Sequence, residues 1–430
     1  MYPFNFISVG IDVGADFSWM AVLTPNHKSV VKPFKIIQND LGSLEKAVST
    51  IKRVEEANSM EARIFLESTG IYHIPLFYYL KNAGLKVYIL NPLITNSNKN
   101  SGIRKVKSDK KDAIRIAKTA YTDNLKTSLV PSDLVLSLRS LVREYYYFVD
   151  HRTAFINKLH KELRIVFPSY IGVFSDITGK TSLAVLKTYK TPNQILNAPK
   201  QEVIHLITKI SRSGLPFATK KYDALFQAAT CAMSFGKHLD ASMDILQMNI
   251  QMIEQYNHMI DSILTKIEDF IAKHEDELFV QQIHILDSIN GIGFISAVTL
   301  MCEIGEFSAF SKPKQLFAYF GLDPAVNESG KFKGTHVKMS KRGSRLARRI
   351  LYHVTLSSVG TVKGKPVNPV LKEYYEKKKQ SKPNKVALGA VMHKIVNIIY
   401  AVLRDHKLFE LVTVEDHCKR YKKYQLTSAA

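Results

Sequence analysis

Apolar residues alternate with small or polar ones from residue 6 onward. FISVGIDVG and ADFSWMAVLTP read as strand, turn, strand, with the bend near Gly14 and Ala15. FKIIQN predicts a third strand. LGSLEKAVSTIKRVEEA repeats its apolar positions at helical spacing, and ARIFLES reads as a short buried strand. HIPLFYYLKNAG predicts a helix ending at Gly84, and LKVYILN another strand. Three leading strands followed by alternating helix and strand predict an α/β layer of the ribonuclease H type. A Rossmann unit fits less well, because no GxGxxG opens a helix after the first strand.

The period changes after residue 130. A heptad-like series runs through Leu141, Tyr145, Phe148, Phe155, Leu159, Leu163 and Val166, interrupted by Arg152. A second runs through Met252, Tyr256, Met259, Ile263, Ile267 and Phe270. Two long helices follow, pairing within the chain or as a coiled coil across a dimer, or packing as ordinary core helices. Between them, Pro168, Pro192, Pro199 and Pro216 are expected to break any long element. From Gln282 the pattern turns helical again: ILDSINGIGFISAVTLMCEIG reads as two short helices joined at Gly291–Gly293, and further helices are expected from about Ser344 and Pro383. The organisation expected is an acid-bearing α/β domain over 1–130, a helical coiled-coil and insertion region over 131–280, a mostly helical domain over 281–415, and a polar tail over 416–430.

Charge narrows the partners. Sixty Lys and Arg stand against 38 Asp and Glu, a formal net charge of +22. Such an excess favours a polyanion, with nucleic acid ahead of a merely basic enzyme. Three cysteines without paired spacing exclude a disulfide framework or zinc ribbon and fit a reducing, cytoplasmic compartment. The N-terminus lacks the pattern of a signal peptide, and no uncharged apolar run reaches spanning length, so no membrane association is expected.

Four acids are the first candidate chemistry. Asp12 in GIDVG and Glu67 in IFLESTG end strand-like runs, while Asp109 and Asp112 in SDKKDA share one helix face if a helix starts at Ser108. Each alone is more often a turn or surface acid; together, in strand–strand–helix order, they suit hard cations such as Mg²⁺, with Mn²⁺ as the alternative. Asp16 competes locally with Asp12. Lys99, Arg104, Lys105, Lys107, Lys110 and Lys111 crowd the approach to this helix, as a solvated face or as phosphate contacts. The second constellation is KFKGTHVKMSKRGSRLARR, which carries Lys331, Lys333, Lys338, Lys341, Arg342, Arg345 and Arg348 and no acid. Ser329 precedes it in a Gly-rich loop, a turn residue or a nucleophile favoured by cations; Ser340 and Ser344 are its rivals, and Ser344 is also a natural helix cap. The GIG turn is similar to a helix–hairpin–helix element, whose amides can hold phosphate.

GIDVGADFSWMAVL, FLESTGIYHIPLFYYL, VKSDKKDAIRIAK and the long block from INGIGFISAV to SRLARRIL together resemble the DEDD transposases of the insertion-sequence 110 family, including the Piv-type invertases. The resemblance covers about residues 6–125 and 280–405. It implies a RuvC-like N-terminal domain with Asp12, Glu67, Asp109 and Asp112 as metal ligands, and a C-terminal transposase domain whose serine, in a Ser-Gly after GLDP, is Ser329. It further implies donor and target DNA, a structured guide RNA pairing with both, and a homodimer or homotetramer. A metal-dependent nuclease without covalent intermediate and a non-catalytic RNA-binding scaffold are the competing readings.

Overall fold

The computed structural model describes residues 4–67, 71–90, 108–122, 127–128, 131–235, 240–324, 328–329, 332–333, 338–413, 415–416 and 419. The chain divides into two compact units, Met1–Ser132 and Asp133–Ala430.

The first unit is a six-stranded sheet: β1 (Ile7–Asp12), β2 (Phe17–Leu23), β3 (Ser29–Ile37), β4 (Ala62–Glu67), β5 (Lys86–Leu90) and β6 (Thr127–Ser128), in the order β3-β2-β1-β4-β5-β6. The first three strands pair antiparallel, β1–β4 and β4–β5 pair parallel, and β6 closes the edge antiparallel. This is the ribonuclease H order that the element pattern predicts. The third strand begins at Ser29, five residues before FKIIQN. As an edge strand it leaves most of its residues partly or fully exposed, so only its end shows an apolar run. It stops before Asp40, whose side chain caps α1 (Leu41–Asn58) by accepting from Gly42 N–H.

Alternation sorts the two faces of the sheet. Ile7, Val9 and Ile11 of β1 and Ile64 and Leu66 of β4 join a core that includes α1 and α2 (His73–Asn82). Phe6 and Phe65 face the other way, onto α3 (Asp109–Thr119). The alternation carries Ser8, Gly10, Asp12 and Glu67 to this second face.

The second unit is helical. Its spine is α4 (Asp133–Val166), which the remaining helices join in chain order: α5 (Lys180–Thr188), α6 (Pro192–Asn197), α7 (Lys200–Ser211), α8 (Gly214–Phe235), α9 (Asp240–Ala272), α10 (Leu278–Asp287), α11 (Phe294–Ile304), α12 (Pro313–Tyr319), α13 (Arg345–Ser358), α14 (Pro369–Lys379) and α15 (Asn384–Asp405). Helices α4 and α9 pack antiparallel within the chain. Leu138 and Val142 share one core with Ile267 and Ile271, whereas Leu159 and Leu163 share another with Leu246 and Ile250. The first core also takes α10–α15, and the second α5–α8. On α9 the buried stripe is Leu246, Ile250, Ile253, Ile260, Ile263, Ile267 and Ile271, so the expected seam through Met252, Tyr256 and Met259 is rotated: Met259 is exposed and Tyr256 lies at the edge against Phe155. The straight apolar spacing of methionine and tyrosine masks the β-branched stripe beside it.

The prolines of the middle region fall largely at element boundaries, as expected, and Pro168 lies just past the end of α4. Pro192 opens α6, Pro199 caps α7, and Pro216 sits in the first turn of the 22-residue α8, where a helix has no use for its missing N–H. Helix α15 is long and apolar enough, by length and composition, to cross a membrane. Its apolar side, from Val391 to Leu403, is part of the first core.

Candidate functional site

Docking of α3 on β1 decides where the acids fall. Gly10 has no side chain because none fits: a Cβ there would lie 2.3 Å from both the Ala113 carbonyl oxygen and the Ala117 nitrogen. Ser8 Oγ donates to the Ala117 carbonyl at 2.8 Å. At the end of α3 the Tyr121 hydroxyl accepts from Ser8 N–H at 2.9 Å and is directed at the carbonyls of Phe6 and Leu23. Burial pushes the Tyr121 phenol up to about 12. Ser108 caps the other end of α3, its hydroxyl accepting from Lys111 N–H, which places Asp109 and Asp112 in the first turn.

That first turn lies over the carboxyl ends of β1 and β4. The parallel register Ile11↔Leu66 sets Asp12 beside Glu67, on adjacent strands about 4.8 Å apart. Asp12, Glu67, Asp109 and Asp112 line one open cavity of about 360 Å³ with Val13, Gly14, Ala15, Asp16, Phe17 and Trp19. Glu67 and Asp112 are buried, and Asp109 is exposed. The Asp112 carboxylate is paired with Arg115 one turn on. Asp16 also reaches the cavity, from the β1–β2 loop.

Four carboxylates on one cavity form an oxygen-only donor set, which suits a hard divalent cation. Among the described residues no three His, Cys, Asp or Glu side chains are already gathered tightly enough to hold one ion. Arg115 engages one oxygen of the Asp112 carboxylate, Oδ1.

Gln38 and Arg115 escape the sequence reading. Gln38 Nε2 donates to the Gly14 carbonyl at 2.8 Å and to Ser18 Oγ at 2.9 Å, pinning the loop at the lip of the cavity. Nothing in the apolar pattern marks it. Arg115 was readable, since i,i+3 spacing puts it next to Asp112. Of the cations proposed around this helix, Lys110 is half-buried on α3, while Arg104, Lys105 and Lys107 lie outside the described residues.

In the second unit, residues 319–324 and 339–344 clasp each other. A Cβ on Gly343 would lie 1.9 Å from the Tyr319 carbonyl oxygen. Pro324 bridges Met339, Ser340 N–H donates to the Asp323 carbonyl at 2.7 Å, and Lys341 N–H donates to the Gly321 carbonyl at 3.0 Å. Ser340 Oγ donates to the Asp323 carboxylate, a partner the sequence reading overlooked although it sits in GLDP. Ser344 accepts from Ala347 N–H at 3.1 Å and caps α13. The clasp brackets two short strands, Glu328–Ser329 and Phe332–Lys333, which pair antiparallel with Ser329 opposite Phe332. The side chains of Ser329 and Lys333, and the whole of Lys331, lie outside the description.

Lys338, Lys341, Arg342 and Arg345 are exposed. Arg348 is turned inward instead, donating to the Phe320 and Gly343 carbonyls at 3.1 and 2.7 Å. It holds the clasp rather than presenting a free cation.

Two family models match the chain. A DEDD transposase model of the IS110 family covers residues 9–168, and one described as Transposase IS116/IS110/IS902 family covers residues 283–376. An IS900 insertion-element protein of Mycobacterium paratuberculosis, described as uncharacterized, is 24% identical over 94% of this chain and 97% of its own length. The transposase of insertion sequence IS1111A from Coxiella burnetii is 28% identical over 32% of this chain and 38% of its own. Thermus thermophilus RuvC in complex with a Holliday junction substrate matches 27% of this chain and 93% of its own, at 15% identity and a TM-score of 0.21.

Proposed function

The chain belongs to the DEDD transposases of the IS110 family, and from that premise we propose that it excises and integrates an insertion element through a phosphoserine DNA intermediate. The observation that carries the reading is the cavity lined by Asp12, Glu67, Asp109 and Asp112. These four acids would hold Mg²⁺, or Mn²⁺, and such an ion would supply positive charge to a phosphodiester. Ser329 is the nucleophile. Its oxygen bonds to phosphorus as one P–O bond of the DNA breaks, and its proton ends on the released hydroxyl. The ester keeps the bond's free energy, so a second strand's hydroxyl can displace the serine without ATP. The occupations of Ser340 and Ser344, one held by Asp323 and one capping α13, support Ser329 over both rivals. Exposed Lys338, Lys341, Arg342 and Arg345 contact the DNA backbone.

Residues 1–130 form the acid-bearing domain, 131–280 the assembly and insertion region, 281–415 the serine-bearing transposase domain, and 416–430 a tail. A structured guide RNA selects donor and target DNA by base pairing. The chain acts as a homodimer or homotetramer, because strand exchange handles several DNA ends at once.

The test is a reaction on labelled DNA stopped in detergent. Protease-sensitive DNA–protein adducts are expected. Ser329→Ala should abolish them, while Ser340→Ala and Ser344→Ala should retain them. Cleavage without any adduct would identify a hydrolytic nuclease instead. Recombination in cells that survives both Asp112→Asn and Ser329→Ala would identify a non-catalytic scaffold.

A further inference from the structure

Residues 360–385 carry eight lysines against two glutamates, in an exposed hairpin and along helix α14 to just past its carboxyl end. Thr361–Val362 and Lys365–Pro366 pair as an exposed antiparallel hairpin. Lys363 (φ 49°) and Gly364 (φ 79°) form its left-handed tip, the turn geometry that matches a two-residue hairpin's twist. The root is fixed: Val367 N–H donates to the Gly360 carbonyl, Asn368 N–H donates to the Ser358 carbonyl, and buried Asn368 caps α14. Lys372 Nζ donates to Thr361 Oγ1 and ties the hairpin to α14. Beyond it α14 ends in Lys377, Lys378 and Lys379, followed by Lys382.

The GIG turn adjoins the same root. A Cβ on Gly291 would lie 2.1 Å from Ser358 Oγ, and Asn290 Nδ2 donates to the Val367 carbonyl at 3.3 Å. Gly293 then opens α11 with no side chain capping its first amides.

One or two lysines in the last turn of α14 would serve its dipole. That bland role does not extend to the hairpin tip or to Lys382. Among the described residues, none of Lys363, Lys365, Lys377, Lys378, Lys379 and Lys382 makes an ion pair. We propose that this hairpin–α14 face is a second docking surface, for the phosphate backbone of double-stranded DNA, separate from the basic segment that follows Ser329. The inference rests on the transposase reading for its choice of DNA. A duplex is favoured over single strands because the aromatics here, Tyr374 and Tyr375, are partly buried in the core, and lysines lie over their rings. They offer no open face to an unpaired base.

The experiment uses the full chain carrying Asp112→Asn, in EDTA, so that binding is read without cleavage. Affinity for a duplex DNA of arbitrary sequence is measured by anisotropy across a salt series. Replacing the six lysines with Gln should lower the log–log salt slope by about 3 to 5 and the affinity at least tenfold, by the release of fewer counterions. Replacing them with Arg should preserve both. If the six-fold Gln variant melts early, Lys363→Gln/Lys365→Gln alone decides, with a slope change of about 2 expected. An unchanged slope and affinity overturns the proposal, as does a loss confined to duplex RNA or single-stranded DNA. Binding through this face in a protein that forms no serine adduct would overturn the phosphoserine mechanism and leave the surface standing.

Discussion

At the residue scale, Gly10 carries more of the site than any acid does. Asp109 and Asp112 reach the cavity only because α3 lies flush on β1, and a Cβ at position 10 would meet backbone atoms of Ala113 and Ala117 at 2.3 Å. Backbone cannot rotate away as a side chain can, so Gly10→Ala should lift α3 and destabilise the first unit by about 3 kcal/mol, the scale of a severe overpacking. The cavity supplies its own reporter, since Trp19, the chain's single tryptophan, lines it. Titration with Mn²⁺ should quench Trp19 emission in the native protein and fail to do so in Gly10→Ala. Adding Ala117→Gly should not rescue the variant, because it removes the 2.8 Å contact to Ala117 Cβ and leaves both backbone contacts in place. Native urea stability and native quenching in Gly10→Ala would mean that α3 is not held as argued.

At the scale of elements, Tyr121 joins α3 to β1 and β2 through a hydroxyl that must stay protonated to donate. Its pKa is raised from an ordinary 10 to about 12 by burial. The folded state therefore binds this proton more tightly than the unfolded chain does. The stabilisation is complete below about pH 10 and is lost as pH climbs towards 12. Trp19 fluorescence, which follows the first unit alone, should show a melting midpoint that falls over that window. Tyr121→Phe should melt lower at neutral pH, by about 1–3 kcal/mol for the orphaned Ser8 N–H and carbonyls, and show a shallower alkaline fall. An equal slope in the variant would exclude Tyr121 as the titrating group. None of this was legible beforehand, because a tyrosine's partners 98 to 115 residues away leave no mark on local spacing. What local spacing did show is instructive. Asp12 and Glu67 were readable as acids ending strand-like runs, and i,i+3 spacing with a Ser108 cap placed Asp109 and Asp112 on one turn. Proline punctuation was legible too: Pro168, Pro192 and Pro199 stand at element boundaries, and Pro216 alone falls within a long helix, in its first turn.

For the whole molecule, a net charge of +22 favours a polyanionic partner and leaves open which cations meet it. Position in the fold divides them. Arg348 spends its guanidinium on the Phe320 and Gly343 carbonyls, whereas Lys341 and Arg342 stand exposed on the clasp that Arg348 holds. The sequence presents all three as one basic run, because nothing local distinguishes a cation facing carbonyls from one facing solvent. Their substitutions should separate cleanly. Lys341→Ala/Arg342→Ala should leave the thermal midpoint unchanged and reduce the salt slope of duplex binding by about 1.8, two phosphate contacts at roughly 0.9 each. Arg348→Gln should lower the midpoint by loosening Gly321 from Gly343, and should change the slope little at temperatures where the clasp holds. A slope that falls for Arg348→Gln under those conditions, with no loss of stability, would show that this arginine leaves its carbonyls to meet DNA.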